Sequence, residues 1–329
     1  MSADPGAPIL LIGRNGQVAR ALQRQVAAGG NPRPLLVVGR PELDLAAALG
    51  EPQQLLAQLS TLLRSHRPAL VVNAAAYTAV DKAESEPELA GAINGTAVGL
   101  LARTCAANAI PLVHISTDYV FDGSGSEPWR EHDPTGPLGV YGASKLDGEQ
   151  ALRASGGDHL LLRVSWVFGQ EGANFVRTML RVGRERDSLA IVDDQIGGPT
   201  SAEAIARTVL ALAEPAIAGR SPLEPASPFP WGTYHFAAQP PVSWHGFATE
   251  IFRQAIDLGL IERAPELRAI PTSDYPLPAA RPANSRLACD RFTTSFGLPL
   301  PDWREELRQC LQAWTAATPT HSSVPANQP

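Results

Sequence analysis

Lysine is almost missing from this chain. Of 27 basic residues only Lys82 and Lys145 are lysines, and the other 25 are arginines. Mutational bias toward arginine codons accounts for most of that skew, yet it draws attention to the two positions where a lysine remains. Basic residues are also outnumbered: 33 acidic residues leave a net charge of -6 and a pI near 5.7. The arginines are scattered, so the chain lacks the basic face of a nucleic-acid binder. Three cysteines, Cys105, Cys289 and Cys310, are far apart and odd in number, which excludes a disulfide framework and offers no metal-ligand spacing. The seven histidines show no HExxH-like pairing, so no catalytic metal is expected. No apolar run reaches membrane-spanning length, and the opening "MSADPGAPILLIG" lacks the charged, apolar, then small order of a secretion signal. A cytoplasmic protein with no membrane partner is expected.

With 44% apolar and 18% charged residues over 329 positions, the chain has the make-up of a globular protein large enough for two lobes. "ILLI" from Ile9, "PLLVVGR", "PALVVNAAA", "IPLVHIST" and "HLLLRVSWVFG" are continuous apolar runs, as in parallel strands buried on both faces. Helical stretches such as "PQQLLAQLSTLLRSHR" separate them. Strand alternating with helix predicts an α/β fold with a doubly wound parallel sheet over residues 7–172. Beyond Gly172 the texture changes to amphipathic helices, short extended pieces and proline-rich loops. Residues 173–189 and 239–315 are expected to form a smaller, partly helical lobe, with 190–238 returning to the sheet. The polar stretch 316–329 is expected to be disordered.

Two stretches carry chemistry. "GRNGQVA" places Gly13, Asn15, Gly16, Gln17 and Val18 between the first strand and a helix, with Ala19 small enough for close packing. Such a turn lets a pyrophosphate approach the unpaired N–H groups of a helix N-terminus. The second strand ends at Gly39-Arg40, without the acid that holds the ribose 2′-hydroxyl of NAD; Arg40 suits the 2′-phosphate of NADP, or is an ordinary solvated arginine. Asp44 and Leu45 are candidates for the adenine end. After the third strand, small residues in "NAAAYT" leave room for a ring or ribose against the backbone.

The second stretch, "HISTDYVFDG", crowds Ser116, Thr117, Asp118 and Tyr119 at a strand end, and "YGASKLDGEQ" follows with Tyr141 and Lys145 four apart. On a helix these two share a face. An ammonium beside the phenol is expected to lower its pKa and make it a usable acid, and a compact amine reaches ribose hydroxyls where a guanidinium does not. Thr117 is placed to hold a carbonyl oxygen beside Tyr141.

These motifs, with "VVNAAAYTAVDKAESEPELAGAIN", "RVSWVFG", "NFVRTML", "DDQIGGPTSA" and "RPANSRL", resemble the extended short-chain dehydrogenase/reductase family over residues 8 to 315. Within it they are most similar to the branch that reduces the C4 ketone of dTDP-4-dehydro-L-rhamnose for cell-surface polysaccharide. The resemblance implies a Rossmann domain and a substrate lobe, with NADPH as cofactor and NADH also accepted. Tyr141 is then proton donor, Lys145 its activator and Thr117 the third member. Gly16, Gln17, Val18, Asp44, Leu45, Ala75, Ala76, Tyr77 and Ser116 are expected on the cofactor. Thr78, Asp118, Tyr119, Trp166, Asn174, Asn284 and Arg286 are expected at the sugar nucleotide, with core or turn roles open for Trp166, Asn284 and Arg286. Asp81, Lys82 and Glu84 suggest only a solvated helix start. Some family members form homodimers through a bridging magnesium, and Glu203 falls near one such ligand, without a full set. The dehydratase branch needs a Glu where Tyr119 stands. A non-catalytic regulatory subunit of the same fold has no need of an intact Thr117, Tyr141 and Lys145, and a reductase of another NDP-4-keto-6-deoxyhexose is a close relative.

Overall fold

Residue 4 and residues 6–317 are described by the computed structural model. The tail expected over 316–329 lies outside the described residues from 318 onward. Chain order begins β1 (Ile9–Ile12), α1 (Gln17–Ala27), β2 (Leu35–Val38), α2 (Pro52–His66), β3 (Leu70–Asn73), α3 (Val80–Ala83), α4 (Pro87–Gly91) and α5 (Ala97–Ala107). It continues with β4 (Leu112–Thr117), α6 (Val140–Ala154), β5 (His159–Val164), α7 (Phe175–Glu185), β6 (Ser188–Val192), β7 (Ile196–Gly197), α8 (Ala202–Ala218) and β8 (Gly232–His235). The last elements are β9 (Val242–Ser243), α9 (Trp244–Asp257), β10 (Glu266–Ile270), β11 (Asn284–Ser285), α10 (Asp290–Phe296) and α11 (Trp303–Ala317).

The continuous apolar runs became strands because both of their faces are covered. In β1, Ile9 and Leu11 pack toward α1 and α8, while Leu10 and Ile12 pack toward α2 and α5. Each such side chain contributes about 1.5–3 kcal/mol on full burial. The resulting six-stranded sheet has the order β2-β1-β3-β4-β5-β8, and every pairing is parallel. The direction of winding reverses between β1 and β3, so a crevice opens at the carboxyl ends of those strands.

A separate core lies under the second half of the chain, where Met179 and Leu180 of α7, Phe247 and Ile251 of α9, and Trp303 and Leu307 of α11 meet. Here the structure redraws two boundaries. Residues 190–197 do not return to the large sheet: β6 pairs with β10, and β7 pairs with β9 and β11. The reason is visible in β6, whose residues alternate between buried and more exposed, the mark of a strand covered on one face only. The return begins with α8, whose Ala- and Leu-rich face packs on α1, and ends with "TYH" of β8 on the sheet edge. Conversely, α10 lies beyond residue 239 yet inserts Phe292 and Phe296, four apart on one face, into the core of the large sheet.

One contact places the helix that carries Tyr141. A Cβ built on Gly142 would stand 2.2 Å from the carbonyl oxygen of Tyr119 and 2.9 Å from Pro137 Cβ. Only a glycine lets α6 lie this close to the turn after β4. Gly142→Ala gains about 1 kcal/mol of helix propensity but forces a methyl group against a fixed backbone oxygen, an overpacking that costs about 1–3 kcal/mol. The overlap wins. The expected result is a lower denaturation midpoint together with a loss of turnover, because α6 must back away with Tyr141; an unchanged midpoint would contradict the close approach.

Candidate active site

Three strand ends converge in the crevice. The turn after β1 is tight: Gly13 has φ of +113°, and a Cβ there would lie 3.1 Å from Ala74 C and Ala75 N. The glycine turn therefore rests directly on the start of "AAAYT". Gly16 caps α1 with no side chain, so the first N–H groups of the helix, at Gln17 and Val18, face the crevice without an internal acceptor. These features fit a dinucleotide pyrophosphate. Asn15 and Gly16 are exposed, Val18 is buried, and Gln17 is drawn toward the second lobe by Asn174 Nδ2 at 3.1 Å. At the end of β2, Gly39 is buried and Arg40 exposed; Arg14 pairs with Glu42 at 3.0 Å beside them. Asp44 is exposed and caps the short helix 45–48 through Ala46 N, and Leu45 is buried beneath it.

The segment after β3 is held by a residue that the sequence did not single out. Asn94 lies in a π-helical turn between α4 and α5, almost wholly buried. Its Oδ1 accepts Tyr77 N at 2.8 Å, and its Nδ2 donates to Tyr77 O and to Ser144 Oγ, each at 3.0 Å. One side chain thus fastens the expected cofactor segment to α6. Ala75 and Ala76 are half-buried, Thr78 is exposed, and the Tyr77 hydroxyl donates to Glu86 at 2.7 Å.

Thr117, Tyr141 and Lys145 are brought together at the end of β4. Thr117 caps the turn 118–120, accepting Tyr119 N at 3.2 Å, and its own proton goes to Asp118 Oδ1 at 3.0 Å. The Tyr119 ring meets the Tyr141 ring edge-on, with centroids 5.5 Å apart. Burial pushes the Tyr141 phenol up to about 12; the Thr117 hydroxyl within reach opposes that, and Asp118 adds to it. Lys145 is not among those influences. Its Nζ donates to Ile115 O at 2.8 Å instead, and burial lowers it to about 8 against the opposing charge of Glu149. The ammonium-activated phenol expected from the four-residue spacing is not what the structure places here: the two residues share a face, but the amine is turned to the strand. Ser116 also turns inward, donating to Glu149 Oε1 at 2.6 Å.

Asp118 is fully buried and pushed up to about 6 by that burial, with Ser285 and Thr117 pulling the other way. Its Oδ2 and the Ser285 hydroxyl lie near enough to act on one another, but neither makes a hydrogen bond of normal geometry among the described residues. Buried polar atoms in that state are open to a polar partner, which a water or a ligand's polar groups can supply.

The remaining candidates divide. Trp166, with φ of +47°, lies flat on Trp244 at 3.5 Å between centroids. Asn174 caps α7 through Arg177 N and gives its amide to Gly169 O and Gln17. Asn284 is buried, with its amide on Ser124 O and Glu127 O and its oxygen on Arg286. The turn-holding role is thus the one Asn284 performs, and Arg286 is tied to it. Arg281, which the sequence did not single out, faces a cavity. That cavity, about 430 Å³, is lined also by Phe175, Met179, Gln195, Trp244 and Tyr275. Arg281 forms a two-pronged ion pair with Asp81, at 2.9 and 2.7 Å, which joins the two lobes. Glu84 accepts Val140 N at 2.8 Å and so caps α6. The stretch expected to be a solvated helix start is exposed at Lys82, Glu84 and Ser85, and through Asp81 and Glu84 it also docks against Arg281 and α6.

Glu203 gives Oε1 to Arg24 at 2.6 Å, while its buried Oε2 has no hydrogen-bond partner among the described residues. Among the described residues no group of three or more His, Cys, Asp or Glu is set to hold a metal, and no helix is long and apolar enough to cross a membrane.

A glycine turn opening the first helix of a parallel sheet, with a Thr, Tyr and Lys trio at its carboxyl edge, defines a short-chain dehydrogenase/reductase. Comparison narrows the class. The family model described as RmlD substrate binding domain matches residues 7–316. The dTDP-4-dehydrorhamnose reductase of Salmonella typhimurium is 41% identical over 308 residues, covering 92% of this chain and 96% of that one. The enzyme of the same name from Burkholderia thailandensis is 44% identical over 306 residues, covering 92% and 98%. A solved dTDP-4-dehydrorhamnose reductase from Clostridium acetobutylicum superposes with a TM-score of 0.80 at 32% identity, covering 94% and 99%. Another, from Bacillus anthracis in complex with NADP, also gives 0.80, at 29% identity, covering 95% and 100%. The chain belongs to the dTDP-4-dehydrorhamnose reductase family.

The buried carboxyl of Asp118 has a measurable signature. Its folded value of about 6 lies above the ordinary 3.8, so folding takes up a proton between those pH values. The stability this site holds at low pH is lost as pH rises through that window. Asp118→Asn cannot ionise and escapes the loss. It is expected to gain on the parent by up to about 3 kcal/mol between pH 4 and pH 7, read from denaturant unfolding at both values, while losing turnover. A parent–variant difference that ignores pH would count against the buried ionisation.

Proposed function

We propose that this chain reduces the C4 ketone of dTDP-4-dehydro-L-rhamnose to the alcohol of dTDP-L-rhamnose, with NADPH preferred and NADH accepted. The observation that carries the reading is the convergence of Thr117, Tyr141 and Lys145 beside the uncapped turn of α1, in a chain of this family. The same reading makes it a cytoplasmic enzyme acting for cell-surface polysaccharide. A magnesium-bridged homodimer is left out of the proposal, because Glu203 alone falls near an expected ligand position and no full set accompanies it.

A reduced nicotinamide cofactor, held at the glycine turn of residues 13–18, would supply the hydride. Thr117 and Tyr141 hold the ketone oxygen, and Tyr141 gives it the proton as the C4–H bond forms. The fixed hydroxyls stabilise the charge that develops on that oxygen. The high phenol value favours the proton-carrying form at neutral pH, which is what a reductase needs at the start of turnover. Asp118 Oδ2 and Ser285 Oγ meet the sugar. The cavity beside Trp244, Phe175 and Arg281 takes the nucleotide, with aromatic faces for the base and a guanidinium for the diphosphate.

Consumption of NADPH that depends on the keto sugar, followed by dihydronicotinamide absorbance, tests the assignment. Tyr141→Phe is expected to cut kcat by orders of magnitude with sugar-nucleotide binding little changed. Turnover near that of the parent would sink the assignment, and a flat trace with the parent would redirect it to another 4-keto-6-deoxyhexose or to a non-catalytic subunit. Cofactor choice is tested separately. Arg40 is exposed where β2 ends without an acid, so Arg40→Asp is expected to turn the ratio of kcat/KM values toward NADH. An unchanged ratio would remove Arg40 from the 2′-phosphate site.

A further inference from the structure

Behind the catalytic trio runs a polar column that the reduction itself does not use. His114, in the middle of β4, is fully buried, with a polar side chain at each ring nitrogen. Asn73 Nδ2, at the end of β3, lies 3.1 Å from Nδ1, and Lys145 Nζ lies 3.5 Å from Nε2. The sense of the first contact is set one step further back. Asn73 Oδ1 accepts the backbone N–H of Ala75 at 3.1 Å, so the amide end facing the ring is the NH2. An NH2 only donates, so Nδ1 carries the lone pair, and in a neutral imidazole the proton is then on Nε2. Burial, with Lys145 and His159 nearby, holds His114 well below the ordinary histidine range, so the neutral ring is the form present.

An Nε2–H aimed at an amine tells its two forms apart. With one Nζ–H already given to Ile115 O, a neutral amine still has a lone pair to accept the ring proton. An ammonium has none, and meets it N–H against N–H. The other groups on this nitrogen are few. Glu149, one turn further along α6, favours the ammonium, but its carboxylate is already shared by Arg163 of β5, Arg153 and Ser116. Tyr141, one turn back, is a neutral phenol in this setting, and His159 of β5 acts on the His114 ring. None of them offers Nζ a second directional partner.

We propose that His114 is a positioning residue for Lys145: locked by Asn73 with its proton on Nε2, it presents that proton to Nζ and stabilises the neutral amine behind Tyr141. The column Ala75–Asn73–His114–Lys145 thereby links the backbone of the cofactor segment to the charge of the active-site lysine. Its consequence for turnover rests on the reductase reading; the state of the lysine does not.

The scarcity of lysine makes the test direct. The full chain labelled with 13C-lysine gives two Cε signals, and the exposed Lys82, held above the usual range by Glu86, is the internal reference. Lys145 is expected to titrate near 8. His114→Gln, which keeps an amide N–H within reach of Nζ, is expected to leave that midpoint in place. His114→Leu removes the ring proton without opening the site to water, and is expected to move the midpoint up by about one pH unit. The alkaline limb of the keto-sugar reduction should follow it. Equal midpoints in parent and His114→Leu would overturn the proposal, since burial alone would then set the lysine. Should the leucine variant not fold, 15N-histidine spectra of the parent decide: a protonated Nε2 and bare Nδ1 at His114 support the column, and the opposite tautomer overturns it. A lysine midpoint that shifts as stated in a protein inactive on the keto sugar would sink the reductase reading and leave the positioning role standing.

Discussion

The ion pair between Glu149 and Arg163 is the contact on which the active-site geometry turns. Tyr141, Lys145 and Glu149 follow one another at intervals of four along α6, so one face of the helix presents all three to the sheet edge. Of these, Glu149 is the anchor. It has no exposure to solvent, and Arg163 of β5 reaches it at 2.7 and 2.9 Å, with Ser116 of β4 at 2.6 Å. Burial alone would raise its carboxyl, yet these donors hold it below the usual range. Removing one partner of such a buried pair costs about 3–5 kcal/mol, because the other is left charged and alone. The helix is thus pinned at one end by charge and at the other by the glycine contact at Tyr119, and the phenol and amine lie between.

How much of this was legible in advance depends on the range of the interaction. Strands buried on both faces show as unbroken apolar runs, so the order of sheet and helix in the first half could be read, and so could the glycine turn and the Tyr–Lys spacing. The partners of charged side chains could not. Asp81 meets Arg281 across 200 residues, and Glu84 meets Val140 across 56. Nothing local distinguishes either acid from a solvated one. Asn94 looks like an ordinary polar residue in a helix until the π-helical turn aims it at Tyr77 and Ser144. The second lobe was hardest, because strands of two residues carry no periodicity, and the chain crosses between the cores more often than its composition suggests.

The two lysines bear different meanings. At Lys145 a guanidinium could not stand in, since arginine keeps its charge at any pH a protein survives and would have no neutral form to offer the His114 ring. Lys82 is half of an ordinary exposed pair with Glu86, where arginine would serve as well. Scarcity pointed to two positions, and burial separates them.

Lys82 nevertheless has a consequence of its own. It is the only exposed lysine side chain, and it directly follows Asp81, which ties the lobes together through Arg281. Amine-directed chemistry, which decorates most proteins at many points, meets a single accessible side-chain amine here beyond the chain's own amino terminus. A dye or a surface linker attached through lysine would sit at the seam between the lobes, in one defined orientation.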